Sequence, residues 1–227
     1  GAGQIGVSSN TITYQGVTIG TFTGGSGGSD LVITFNASAT PTAVTALVRN
    51  ITYQNTDTNA PTTGARTVRF ALTDGDGGTS PTYDATVTVS GVNDAPVLAD
   101  TALSLTVAED AGVPSGAVGS LVSAFTGGIT DVDSGASKGL AITGSNQTNG
   151  IWYYTRNGGA TWTAVGTVSN TSALLLADNA STRLYFAPNA NYNGTSSAAL
   201  TVRAWDQSSG TAGTKVSTAS NGGTTAF

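Results

Sequence analysis

Cysteine, methionine and histidine are all absent from this 227-residue chain. No disulfide framework can form, and no thiolate or imidazole can ligate a metal. Ser–His and Cys–His nucleophilic catalysis are excluded with them, because each needs both partners. Any metal must be held by oxygen, which points to Ca²⁺ or Mg²⁺. Charge is nearly as scarce. Charged residues make up 9% of the chain, against roughly 25% on average. Lys138 and Lys215 are the only lysines and Glu109 the only glutamate, so the net charge of −5 is carried almost wholly by Asp. With no basic patch to neutralise phosphates, nucleic-acid binding is not expected. No apolar run approaches the ~18 residues of a membrane-spanning helix, so no membrane span is expected.

What is abundant is Gly, with Thr, Ser, Ala, Val and Asn filling much of the rest. Short strands and many turns suit this mixture; long helices do not. Alternation of apolar and polar residues marks strands at Ile12–Tyr14, Val17–Phe22, Leu31–Phe35, Thr67–Leu72 and Ala85–Val89. Thr on the outer positions predicts a sandwich with one face in water. One segment departs from this pattern. Thr40 precedes Pro41, and Val44, Leu47 and Val48 recur at helical spacing. A cap residue, Pro in the first turn and that period predict one short helix. A second set of strands is expected at Leu103–Val107, Leu140–Thr143, Ile151–Tyr154, Leu184–Phe186 and Leu200–Trp205.

The two sets meet near Asn93–Pro96, which divides the chain into expected domains at 1–95 and 96–227. The first opens in mid-pattern at Gly1–Gln4, and no strand is expected after Trp205. Both features suggest repeats that continue in a longer array, or strands supplied by a neighbouring molecule through donor-strand complementation.

Val92–Asn93–Asp94–Ala95–Pro96–Val97 resembles the junction of bacterial cadherin-like and VCBS-type tandem repeats. Leu72–Thr73–Asp74–Gly75–Asp76–Gly77–Gly78–Thr79–Ser80, Ile51–Thr52–Tyr53–Gln54–Asn55–Thr56, Ile129–Thr130–Asp131–Val132–Asp133–Ser134–Gly135, Pro188–Asn189–Ala190–Asn191–Tyr192–Asn193–Gly194 and Ala204–Trp205–Asp206 are similar to further segments of the same family. The resemblance spans nearly the whole chain. It implies an all-β architecture of two tandem Ig/cadherin-like Greek-key sandwiches. It also implies an extracellular or bacterial cell-surface location, in adhesins and biofilm matrix proteins. The partners it implies are neighbouring repeats or identical subunits, with surface glycans as a further ligand class. Fold likeness specifies location and architecture better than ligand.

The family also implies calcium, since clustered Asp, Asn and carbonyl oxygens supply the six to eight hard ligands the ion takes. By resemblance, Asn93 and Asp94 are linker ligands. Glu109, Asp110, Asp131, Asp133 and Asp206 are expected to converge on the top of the second domain, where their repulsion without metal would loosen the joint. Asp74 and Asp76 hold the matching place in the first domain. Asp–Gly and Asp–x–Asp are also ordinary turn sequences.

Thr155–Arg156–Asn157–Gly158–Gly159–Ala160–Thr161–Trp162 resembles the Asp-box of sialidases, with Asn157 where the box has Asp. There the box is a structural hairpin turn, and no pair of Glu acids accompanies it here to support glycosidase chemistry. Trp152, Tyr154 and Trp162 are candidates for stacking on sugar. Alternation puts Trp152 and Tyr154 on one face of their strand and Tyr153 on the other, so at least one face is expected to be core. The expected function is therefore non-catalytic: a structural segment of an adhesin stalk, matrix or filament, stiffened by calcium. The alternative is a carbohydrate- or surface-binding module in the second domain.

Overall fold

The computed structural model describes residues 4–57, 59–99, 103–197 and 199–227. The fold is all-β with one α-helix among those residues. It forms two compact units, Gly1–Thr56 and Asp57–Phe227. The expected repeat junction at Asn93–Pro96 lies inside the second.

The first unit is an antiparallel meander of β1 (Ile5–Ser8), β2 (Thr11–Tyr14), β3 (Val17–Thr23) and β4 (Val32–Phe35), paired in that order. Gln15 and Gly16 join β2 to β3 with φ of 52° and 83°, the two left-handed residues that a tight hairpin turn needs to match strand twist. Four strands thus precede α1 (Pro41–Val48). The Thr40 hydroxyl accepts from the Ala43 N–H at 3.2 Å, and Pro41 opens the first turn. The buried face differs from the expected one. Ala43 and Leu47, four apart, pack on Ile12 and Ile19, whereas Val48 is exposed. Ala43 and Leu47 therefore form the buried face of α1, and Val48 lies off it.

In the second unit, β5 (Gly64–Phe70) and β6 (Tyr83–Val89) form a two-stranded ribbon. β7 (Val97–Leu98) follows the linker, β8 (Ser120–Leu121) leads into a 3₁₀ turn at Val122–Phe125, and β9 (Ile129–Thr130) pairs with β7. Then come β10 (Gly139–Ser145), β11 (Gly150–Thr155), β12 (Thr163–Ala164), β13 (Ala173–Ala177), β14 (Arg183–Pro188), β15 (Leu200–Trp205) and β16 (Lys215–Val216). They make two four-stranded sheets, ordered β15-β10-β13-β16 and β12-β11-β14-β8. Leu140, Ile142, Leu174 and Leu176 from one sheet meet Trp152, Leu184 and Phe186 from the other in one core. That is a β-sandwich.

Three expectations change here. A strand does follow Trp205: β16 pairs with β13. The sandwich is not wet on both outer faces. Ala141, Ala173, Leu175, Ala177 and Trp205 form a second cluster on the outside of the first sheet, covered by Ala212, Val216, Ala226 and Phe227. Burial on both faces explains why β13 reads Ala–Leu–Leu–Leu–Ala without alternation. Finally, Leu103–Val107 joins no ladder among the described residues. Leu105 and Val107 still pack on the core, so the alternation reports burial and not strand pairing.

Candidate functional site

The linker is fastened to the sandwich by two neighbouring residues, Asn93 through its side chain and Asp94 through its backbone. The Asn93 amide nitrogen donates to Asp206 Oδ2 at 2.8 Å and to the Thr225 carbonyl at 3.2 Å. The Asp94 backbone N–H donates to Asp133 Oδ2 at 2.7 Å. Each acceptor is held in turn. Asp206 is 5% exposed, and its Oδ1 takes the Ser208 N–H at 2.7 Å. Asp131 Oδ1 takes the Asp133 N–H at 2.8 Å. These are the local turn bonds that Asp makes with backbone two residues on. One residue further, the Ala95 N–H donates to the Gly223 carbonyl at 2.8 Å. An open cleft of about 400 Å³ lies beside them, lined in part by Asn93, Asp133, Ser137, Asp206 and Ser208.

The resemblance to cadherin-like repeats implies calcium, and two observations bear on the fit. Asp131 Oδ2 is buried and has no hydrogen-bond partner, an arrangement that costs free energy unless a cation or water completes it. Against this, no group of three carboxylates among the described residues stands ready to hold a metal ion. Several of the oxygens accept from backbone N–H groups instead. Coordination by Asp131, Asp133 and Asp206 together would need their carboxylates to rearrange from the positions described here. The donor chemistry, all oxygen, suits a hard cation.

Two expected ligands lie elsewhere. Asp110 Oδ1 accepts from the Asn191 N–H at 2.8 Å, in the loop after β14, which Asn189 ties to Asn149 and Thr148. That loop sits beside the exit of β10, whereas Asp206 sits beside its entry, where Gly139 pairs with Trp205. Seven residues of strand, roughly 20 Å, separate the ends. Glu109, exposed next to Asp110, goes with it. Asp74 and Asp76, expected at the matching place in the first domain and not at the junction, lie in the loop between β5 and β6. Asp74 Oδ1 accepts from the N–H groups of Asp76 and Gly78 at 3.0 and 2.9 Å, closing the loop between Thr73 and Thr79. A Cβ on Gly78 would stand 2.2 Å from Asp74 Oδ2, so a side chain there would push the Asp74 carboxylate aside.

The aromatic residues do not form a sugar platform around Trp152. Its ring is 5% exposed and packs on Phe186 with centroids 5.0 Å apart. Tyr154 packs on the same core. Trp162 lies on the outer side, edge-on to Tyr185 at 5.9 Å. Its indole N–H donates to the Gly116 carbonyl at 3.1 Å. The Tyr185 hydroxyl donates to the Gly112 carbonyl at 3.1 Å, and Arg183 to the Gly119 carbonyl at 3.1 Å. Together they strap the 112–119 segment across the sheet. The Asn157 loop provides the seat. Asn157 Oδ1 accepts from the Thr161 N–H at 2.9 Å, and Gly159 at φ 103° passes so close to Gly116 that a Cβ would fall 1.9 Å from its carbonyl oxygen. The Asp-box-like turn therefore has a structural role.

No family model, curated protein or solved structure matches this chain. The functional reading therefore rests on the sequence resemblance and on the geometry of the linker. The geometry adds partners that periodicity could not reveal. The carbonyls of Gly223 and Thr225 hold the linker from the far end of the chain. Their only sequence signal is a run of small residues, which is common throughout this protein.

Proposed function

We propose that this protein is a non-catalytic structural segment of an extracellular bacterial repeat protein, a stalk, matrix or filament component whose joint at Asn93–Asp94 is stiffened by calcium. The observation that carries the reading is the convergence of Asn93 and Asp94 on Asp206 and Asp133, beside the partnerless buried oxygen of Asp131. Asp131, Asp133 and Asp206 would hold the ion, with Asn93 Oδ1 and nearby carbonyls completing an oxygen shell of the kind Ca²⁺ accepts. The ion would neutralise acids that crowd one end of the sandwich and would tie the linker to the loops that carry them.

The test is a calcium titration of the intact chain followed by thermal unfolding in Ca²⁺ and in EDTA. Saturating Ca²⁺ at about 100 times Kd should add roughly 2.7 kcal/mol. Identical unfolding in the two conditions removes calcium from the proposal.

A further inference from the structure

The ribbon β5–β6 is a sheet of only two strands. Two strands alone are marginal in water, and three or more with an apolar face are the usual minimum. The pairing register sets Val68, Phe70, Ala85, Val87 and Val89 on one face. All five are only half-buried. Neither outer edge of the ribbon is paired to a further strand among the described residues. Free edges are normally guarded by Lys, Pro or a bulge. β6 has none of these. Its single charge, Asp84, is already held by Arg69 of its own ribbon through bonds of 2.7 and 2.8 Å. β5 carries two arginines, Arg66 and Arg69, which would repel a second copy of the same strand.

We propose that β6 pairs antiparallel with β6 of a second copy of this chain, centred on Thr86, to make one sheet of four strands. This rests on the reading of the protein as a brick that joins identical subunits, and it names the edge used. The strand is self-complementary in that register. Tyr83 of one copy faces Val89 of the other, Ala85 faces Val87, Asp84 faces Thr88, and Thr86 faces its equivalent. Apolar residues meet apolar residues on one side, and no like charges oppose. A slip of one residue would set the apolar face against the polar one. Centring on Asp84 instead would oppose two acids.

The absence of cysteine makes the test clean. Directly opposed residues in an antiparallel pair have Cα atoms about 4.5–5.5 Å apart, within disulfide reach. Under mild oxidation, the T86C chain should cross-link to a covalent dimer much faster than the T88C chain or the T211C chain, Thr211 being exposed in a loop. In sedimentation across a wide concentration range, Thr86→Lys should weaken self-association about fivefold or more by placing two ammonium groups side by side, with circular dichroism unchanged. Equal cross-linking at the three positions, self-association indifferent to Thr86→Lys, or a monomer at every concentration would each overturn the inference. A monomer that still gains stability from Ca²⁺ would remove this edge while leaving the structural reading in place.

Discussion

Asn93 and Asp206 are joined by a 2.8 Å hydrogen bond although 113 positions separate them in the chain. The bond closes a loop from the linker to the far edge of the sandwich. Because Asp206 is almost wholly buried, its carboxylate depends on the donors the fold supplies. Asn93→Ala removes one of them and should cost about 1–3 kcal/mol, the range for leaving a buried polar group unsatisfied. Urea unfolding of the two chains measures this directly. A loss within error of zero would mean that water replaces the amide and that the linker is not fastened here.

Asp131 offers a sharper test of the cation. Without metal, its Oδ2 is buried and unpartnered. Asp131→Asn should therefore leave stability in EDTA unchanged or slightly higher. The same substitution should abolish most of the gain seen in Ca²⁺. Unfolding midpoints of both chains in both conditions decide the point. Equal calcium gains in the two chains would exclude Asp131 as a ligand.

The Asn157 turn predicts a contrast between two substitutions. Asn157→Asp keeps the oxygen that takes the Thr161 N–H, and the Thr161 hydroxyl can turn to donate in place of accepting. Its cost should be under about 0.5 kcal/mol. Gly159→Ala must place a Cβ against the Gly116 carbonyl at a positive φ. That should cost about 1–3 kcal/mol or more through strain. Thermal melts of the two variants should rank them clearly.

Trp152 and Trp162 should also separate. Trp152→Ala empties a packed site in the core and should cost about 3–5 kcal/mol. Trp162→Phe keeps the ring contact with Tyr185 but loses the bond to the Gly116 carbonyl, a change of about 1 kcal/mol. Proteolysis within 112–119 should accelerate only in the second case while the core stays folded. If both variants behave alike, Trp162 is not a strap anchor.

Acid should act on the ribbon at one identifiable pair. The Arg69 hydrogen bond holds the Asp84 carboxyl below its ordinary range. A lowered folded value means that the stabilisation is present above the ordinary carboxylate pKa of about 3.9. It is lost as pH falls through the lower folded value. Both groups are exposed, so the effect on global stability is small. An NMR titration should find the Asp84 midpoint below the ordinary carboxylate range. It should return to the ordinary range in Arg69→Gln.

Much of the fold could be read directly. The strands at Ile12–Tyr14 and Val17–Phe22, the Thr40–Pro41 start of α1 and the alternation of β10, β11 and β15 are local signals, and local physics decides them. Leu103–Val107 was misleading for the same reason. Its alternation is real, but a strand is a relation between two segments, and no ladder joins it among the described residues. The candidate site shows the same division. Asn93, Asp94, Asp131, Asp133 and Asp206 are legible as a set, whereas Glu109 and Asp110 share their chemistry and lie at the other end of the sandwich.

The sequence by itself determined which chemistry is open to this protein. Without Cys or His there is no thiolate or imidazole, and with almost only Asp for charge any metal site must be made of oxygen. It also determined the all-β class, through composition and period. The tertiary structure alone decided which carboxylates meet, that Trp152 is core and Trp162 an anchor, and that the chain's last residues cover β13 and hold Asn93. Those outcomes depend on contacts between distant segments, and a local pattern of residues does not say which distant segments meet.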